Sequence, residues 1–249
     1  MEAEGRPRRV LIVGATSAIA SEVARRYAAG GASLVLTGRN PARLAAVGDD
    51  LRVRGAGSVE TEILDLLDRG RHAAVVKRAF GGPLDVALIA HGDLPDQQRC
   101  QTDPGEAARA LELNLVATVE LLTLLAGEFQ AQGSGTIAVV TSVAGDRGRQ
   151  SNYVYGAAKA GVGVFLQGLR QRLRATGVRV VTLKPGFVDT PMTAHLPPNP
   201  LASSPQRAAR AIYRAIESHR DVAYIPWFWR PVMALIRAVP ESLFKRLRL

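Results

Sequence analysis

The chain carries a single cysteine, Cys100, in 249 residues. One thiol makes no intrachain disulfide and no cysteine metal cluster, so the sequence is compatible with a reducing cytoplasm. No stretch reaches the roughly 18 uninterrupted apolar residues expected of a spanning helix, and no membrane crossing is expected. The opening segment MEAEGRPRRV has two acids ahead of its basic residues, and its short apolar run enters a glycine turn, unlike a secretory signal. Acidic residues are the minority sign: 22 Asp and Glu against 32 Lys and Arg give a formal charge of +10. That balance favours anionic partners such as phosphates or acidic lipid, or is simply an arginine-rich surface. No aromatic stacking platform or groove-reading helix accompanies the charge, so no nucleic-acid partner is expected.

The 47% hydrophobic content suffices for a substantial core. Short apolar runs over Arg9 to Val13, Ser33 to Thr37, Val59 to Ile63, Asp85 to Ala90, Gly135 to Ser142 and Gly177 to Leu183 read as strands. Most are too apolar to alternate in and out, as a parallel sheet buried on both faces requires. Helical period marks Ala18 to Ala29, Pro41 to Val53, Gly70 to Phe80, Gly105 to Gln130 and Tyr153 to Ala175. The alternation predicts an α/β fold, a Rossmann-like doubly wound parallel sheet with helices on both faces. No linker interrupts it before about residue 185, and the helix, short strand VAYIP and final helix that follow are too small for a second domain. One domain over 1–249 is expected, with 226–249 as an amphipathic helical tail.

The stretch VLIVGATSAIA, Val10 to Ala20, runs from the first strand into a turn. In a dinucleotide site the first glycine makes the turn, the second admits the diphosphate and the third lets the helix sit close to the strand. Gly14 keeps the first role, Ala20 is a tolerated replacement for the third, and Ala18 puts a methyl where the diphosphate approaches. Thr16 and Ser17 set hydroxyls at the helix start, where they cap the helix or bind phosphate. Alone, the stretch is equally an ordinary strand-helix corner. After the second strand stand Gly38 and Arg39 in LVLTGRN, with no acid to receive an adenosine ribose. A guanidinium there suits the 2′-phosphate and favours NADP over NAD; a solvated arginine is the other reading.

In SNYVYGAAKAG, Tyr155 and Lys159 stand four apart on one helix face. A free phenol ionises near pH 10, too high for ready proton exchange near neutrality. A neighbouring ammonium and a cationic nicotinamide are expected to lower that value and make Tyr155 a general acid. Ser142, closing its strand, is placed to hold a carbonyl oxygen where open α/β sheets bind their ligands. Asn114 is a polar residue in an otherwise apolar helix, which predicts a kink or a held water. Singly, each has a structural explanation: a core tyrosine, a solvated lysine, a cap, a satisfied amide.

Taken together, these motifs resemble the short-chain dehydrogenase/reductase family over about residues 8 to 225. The resemblance implies a catalytic tetrad of Asn114, Ser142, Tyr155 and Lys159, with Lys159 also bonding the nicotinamide ribose. It implies cofactor contacts from Gly14, Thr16, Ser17, Ala18 and Ile19 at the turn, and from Arg39. Asp65 and Leu66 would meet adenine, while Ala90 and Gly92 would line the ribose. Pro185, Gly186, Val188 and Thr190 of KPGFVDTPM would grip the nicotinamide amide, and homo-oligomers are implied. The sequence departs from the family at the alanines of the turn and at AHG, where the family has Asn-Ala-Gly: Ala90 stands in place of the asparagine and His91 in place of the alanine; His91 is read as a structural or site-lining group.

Within the family the chain is similar to the decaprenylphosphoryl 2-keto-erythro-pentose reductases, through GATSAIA, the loop SVAGDRGRQ with Arg147 and Arg149, MTAHL, and the tail from AYIPWFWRP to its end. That similarity implies reduction of a keto-sugar on a polyprenyl phosphate in cell-wall precursor synthesis. The tail interleaves Trp227, Phe228, Trp229, Val232, Leu235, Ile236, Leu243, Phe244, Leu247 and Leu249 with Arg230, Arg237, Lys245, Arg246 and Arg248. Such a pattern suits the boundary of an anionic bilayer, placing a cytoplasmic enzyme at the inner face of the membrane, or else packs on the sheet or a second subunit. Two other readings remain: a reductase of another small or lipidic ketone, and a cofactor-binding scaffold without turnover. No metal is expected.

Overall fold

Successive residues of the first strand, β1 (Arg9–Val13), turn to opposite faces: Val10 and Ile12 enter one buried cluster, Leu11 and Val13 another. That division runs through the sheet, as expected where both faces are covered. The computed structural model describes residues 6–194, 197, 199–218 and 220–247. The expectations for His195, Leu196, Arg248 and Leu249 lie outside them. The remaining strands are β2 (Ser33–Gly38), β3 (Ser58–Ile63), β4 (Val86–Ile89), β5 (Gly135–Val140), β6 (Val178–Pro185) and β7 (Val222–Ile225). All pair in parallel, in the order β3-β2-β1-β4-β5-β6-β7. The order reverses direction between β1 and β4, which opens a crevice at the strands' carboxyl ends.

Ten helices connect them among the described residues: α1 (Ala18–Ala29), α2 (Pro41–Val53), α3 (His72–Ala79), α4 (Gln97–Thr102), α5 (Pro104–Leu111), α6 (Ala117–Gln132), α7 (Tyr153–Leu173), α8 (Pro205–Glu217), α9 (Trp229–Ala238) and α10 (Glu241–Phe244). Residues of α1, α2 and α8 fill the first core; those of α3, α6 and α7 fill the second. The doubly wound, single-domain architecture is the one read from the strand-helix alternation. Bounds for β1, α1 and α2 coincide with the sequence reading, because each is set by a sharp signal. Gly14 with φ of 80° ends β1, and Asn40 accepts the Arg43 N–H at 2.9 Å to cap α2 ahead of Pro41.

Three places differ. Helix α4 was not expected: its sequence QQRCQT has no apolar period, and Asp96 starts it by accepting from the Gln98 and Arg99 N–H groups. The single helix expected from Gly105 to Gln130 is instead α5 and α6 joined by a π-turn over Glu112–Val116. The expected final helix breaks at Pro240 into α9 and α10, since proline removes the amide that would continue the ladder.

The continuous helical run Pro104–Gln132 is long and apolar enough to cross a membrane by composition, with mean hydropathy 1.6. Counting uninterrupted apolar residues missed it. Its apolarity belongs to the fold: Leu121, Leu122, Leu125, Ala126 and Phe129 are wholly buried in the second core.

Candidate active site

A cavity of about 880 Å³, including its open mouth, lies where the chain leaves β1, β4, β5 and β6. It gathers eleven of the expected site residues: Ser17, Ile19, Ala90, Gly92, Ser142, Tyr155, Lys159, Pro185, Gly186, Val188 and Thr190. Gly14, Thr16, Ala18, Arg39, Asp65, Leu66 and Asn114 do not line it. Among the described residues no group of His, Cys, Asp and Glu is arranged to hold a metal.

At the turn, the N–H groups of Gly14 and Ala15 both donate to the Thr37 carbonyl, at 3.1 and 2.8 Å. Gly14 is required twice, by its positive φ and by contact with the next strand: a Cβ there would sit 2.9 Å from the His91 backbone. Ser17 is the N-cap residue of α1, yet its hydroxyl makes no capping bond. No acid occupies the first turn of α1, so its positive end and the Ser17 hydroxyl are left for an anion. Ala18 is half-buried, and Ala20 is fully buried in the first core. The free helix start and the Ser17 hydroxyl fit a diphosphate.

Arg39 is exposed just past β2 and has no hydrogen bond or ion pair among the described residues. Farther out, the Asp65 carboxylate accepts the Leu67 N–H at 3.0 Å. Leu66 is buried, and its carbonyl meets His72 Nε2 at 3.0 Å.

On the opposite wall, Tyr155 and Lys159 rise from the same face of α7, the ammonium 5.6 Å from the phenol ring centre. Lys159 is buried and Tyr155 half-buried, and desolvation dominates the ionisation of both. The Tyr155 phenol is pushed up to about 12 by desolvation, and the Asp93 carboxylate adds to the rise while a hydrogen bond with Ser142 opposes it. Lys159 is pushed down to about 8 by desolvation. The expected lowering was that of a phenol beside both the ammonium and a cationic nicotinamide; in the protein alone, loss of water around a phenolate raises it. Ser142 Oγ accepts the Ala144 N–H at 3.0 Å, which leaves its own proton to give.

Asn114 sits wholly buried inside the π-turn. Its Oδ1 accepts the Asp93 N–H at 3.1 Å and its Nδ2 donates to the Ala110 carbonyl at 3.0 Å. The helix is therefore locally widened, as expected of such an insertion, and the amide is satisfied. A Cβ on Gly92 would lie 2.9 Å from Asn114 Oδ1 and 3.2 Å from Lys159 Nζ, so only glycine lets this strand end approach both. Thr118 donates to the Asn114 carbonyl at 3.1 Å and so accepts from His91 Nε2–H at 2.8 Å. His91 is held neutral, its pKa pushed down to about 3, chiefly by burial and then by Lys159. It lines the cavity as a fixed, uncharged group.

Beyond β6, the Gly186 backbone meets Trp229: an added Cβ would lie 2.0 Å from the indole nitrogen. Val143, Trp229 and Met233 form a small core with Phe187, Tyr224 and Ile236. Thus α9 buttresses the loops after β5 and β6 that wall the site, a role the sequence reading did not assign to it. The spacing of Trp229, Val232, Met233 and Ile236 carried that signal. Arg149 and Asn152 also line the cavity; only their place in a basic loop before Tyr155 marked them in the sequence.

A parallel sheet with a nucleotide-type turn and an open cavity lined by Ser142, Tyr155 and Lys159 is the arrangement of a dinucleotide-dependent oxidoreductase. The short chain dehydrogenase family model matches residues 8–200, and the chain belongs to that family. It is 42% identical over 240 residues to an uncharacterized oxidoreductase of Mycobacterium tuberculosis, covering 96% of each chain. An uncharacterized oxidoreductase of Streptomyces coelicolor is 37% identical over 248 residues, 99% of this chain and 98% of that one. Among solved structures, a short-chain dehydrogenase from Sphingobium yanoikuyae in complex with NADPH superposes with a TM-score of 0.82 at 26% identity, covering 94% of this chain and 97% of that chain.

A buried ammonium held below its ordinary pKa near 10.5 destabilises the fold wherever it is charged. Between about pH 8 and that ordinary value the unfolded chain binds more protons, so this group makes stability rise with pH. Lys159→Met is therefore expected to be about 1–3 kcal/mol more stable than the parent at pH 7. The advantage shrinks as pH approaches 10. Chemical denaturation at both pH values checks this; a variant less stable at neutral pH contradicts it.

Proposed function

We propose that the protein is an NADP-dependent reductase that converts a ketone to a secondary alcohol. The observation that carries the reading is the Tyr155 hydroxyl facing Ser142 in a cavity that also buries Lys159. Ser17, Ile19 and the start of α1 would hold the diphosphate, and Arg39 the 2′-phosphate. Asp65 and Leu66 would border adenine, Ala90 and Gly92 the ribose, and Pro185, Gly186, Val188 and Thr190 the nicotinamide. When bound, the reduced nicotinamide supplies hydride.

The chain's own groups handle the proton. Ser142, its oxygen already engaged by the Ala144 N–H, directs its hydrogen to the carbonyl oxygen. Tyr155 keeps its proton throughout the neutral range, and gives it to that oxygen as negative charge develops there. Lys159 is charged below about pH 8, and stabilises the phenolate that results. Asn114 acts at one remove, holding Asp93 and the π-turn beside Lys159. A scaffold without turnover has no use for a protonated phenol and a buried ammonium in one cavity.

For the substrate, the reading is a keto-sugar on a polyprenyl-phosphate carrier, met by a cytoplasmic enzyme at the inner face of the membrane. Support comes from the far side of the C-terminal helices. Trp229 and Met233 of α9 are buried, whereas Trp227 and Leu235 are 76% and 72% exposed, near the exposed Arg230 and Arg237. Leu243 and Leu247 add to that apolar surface, with Lys245 and Arg246 beside them. Exposed apolar groups among cations suit an anionic bilayer. The family resemblance adds self-association into a homo-oligomer.

Tyr155→Phe is expected to cut ketone reduction at least about 100-fold while NADPH binding by fluorescence stays near the parent's. Unchanged turnover overturns the acid assignment. In the same titration, Arg39→Ala is expected to weaken NADPH and leave NADH nearly unaffected; parity of the two nucleotides in the parent contradicts that role. Flotation with anionic vesicles is expected to carry the parent and to fail for Trp227→Ser/Leu235→Ser; equal flotation of both, or of neither, removes the membrane reading.

A further inference from the structure

The loop from Ser142 to Asn152 holds two arginines with opposite circumstances. Arg147 is fully engaged: it donates to the carbonyls of Ile236, Arg237 and Val239, pairs with Glu241 at 2.8 Å and lies 3.9 Å over the Phe244 ring. Arg149, two residues on, lines the catalytic cavity and is only partly exposed. Its Nε is buried without a hydrogen-bond partner. No carboxylate acts on it: burial alone perturbs the guanidinium, in the direction that disfavours its charge.

An arginine stays protonated inside proteins, and a desolvated charge with no counter-ion is costly. Two acids of the flanking segments are engaged elsewhere. Asp146 is bound by Lys184 and by the Tyr224 hydroxyl, and Asp96 caps α4. On the same wall, Asn152 Oδ1 is a second buried polar atom without a partner. Its residue begins α7 without capping it. A guanidinium and an amide oxygen, both unanswered, thus border the cavity that holds Ser142 and Tyr155.

We infer that the substrate carries an anionic group, a carboxylate or a phosphate, which Arg149 receives while the ketone lies against Ser142 and Tyr155. The inference rests on the reductase reading of the same cavity and names the residue that receives the substrate's anion, whether or not that anion belongs to a lipid carrier. A planar guanidinium takes either anion through two parallel hydrogen bonds, and Asn152 Oδ1 accepts from a hydroxyl of the same molecule. Arg149 is then a specificity-determining residue: it anchors the substrate's anionic group in the cavity that holds Ser142 and Tyr155.

The test uses the full chain with NADP+ present, so that added ketones bind without being reduced. The probes are para-acetylbenzoate, para-acetylphenyl phosphate and the neutral para-acetylbenzamide, each titrated by calorimetry against the parent, Arg149→Gln and Arg149→Lys. At least one anion is expected to bind about tenfold or more tightly than the amide, and which one tells carboxylate from phosphate. Arg149→Gln is expected to abolish that preference with NADP+ affinity unchanged, and Arg149→Lys to restore part of it. Equal binding of anion and amide by the parent, no binding of either anion, or a preference that survives Arg149→Gln overturns the inference. So does a loss of NADP+ affinity in Arg149→Gln, which would assign the guanidinium to the cofactor. With NADPH supplied instead, an anion that binds through Arg149 but is never reduced sinks the reductase reading alone. Reduction of the amide as efficient as that of both anions sinks the inference alone.

Discussion

Desolvation of two ionisable side chains in one cavity is the constraint on which this molecule turns. Tyr155 and Lys159 are carried side by side on α7 into the cavity, and desolvation drives each toward its neutral form. For the phenol that means a proton retained; for the ammonium it means a proton loosely held. A reductase needs that pairing, since the acid must arrive protonated and the cation beside it must tolerate burial. The surrounding architecture supplies the conditions. Reversal of strand order between β1 and β4 opens the crevice, the π-turn brings Asn114 to Gly92, and glycines at 14 and 92 let backbones close where a methyl would not fit.

The C-terminal helices complete the enclosure. Gly186 has no side chain because the Trp229 indole occupies that space. Arg147 ties the Ser142–Asn152 loop to the ends of α9 and α10 through three carbonyls, an ion pair and a ring. Asp146 fastens the same loop to Lys184 on β6 and Tyr224 on β7. One amphipathic segment therefore serves two surfaces, its inner face holding the loop behind Ser142 and its outer face presenting Trp227 and Leu235 to the surroundings.

How much of this could be read from the residues depends on the range of the interactions involved. Local signals were legible: the glycine that ends β1, the asparagine that caps α2, and the four-residue spacing that puts Tyr155 and Lys159 on one face. The free helix start behind Ser17, which has a cap position but no capping bond, was not visible in the residues of the turn. Asn114 announced a disturbed helix, although not that its amide would be satisfied by Asp93 and Ala110. What stayed hidden was set by burial, which no spacing encodes. The direction in which Tyr155 is shifted, the neutrality of His91 and the unanswered guanidinium of Arg149 all follow from which groups lose water together. Helix α4 stayed hidden for a different reason, having a cap but no apolar stripe.

The central claim is that the protein alone holds Tyr155 as a protonated acid, and an ultraviolet difference titration of the parent against Tyr155→Phe measures it directly. The account predicts that the tyrosinate signal missing from the variant develops only in strong alkali, toward about 12. A Tyr155 that ionises in the cofactor-free protein near neutral pH would contradict it.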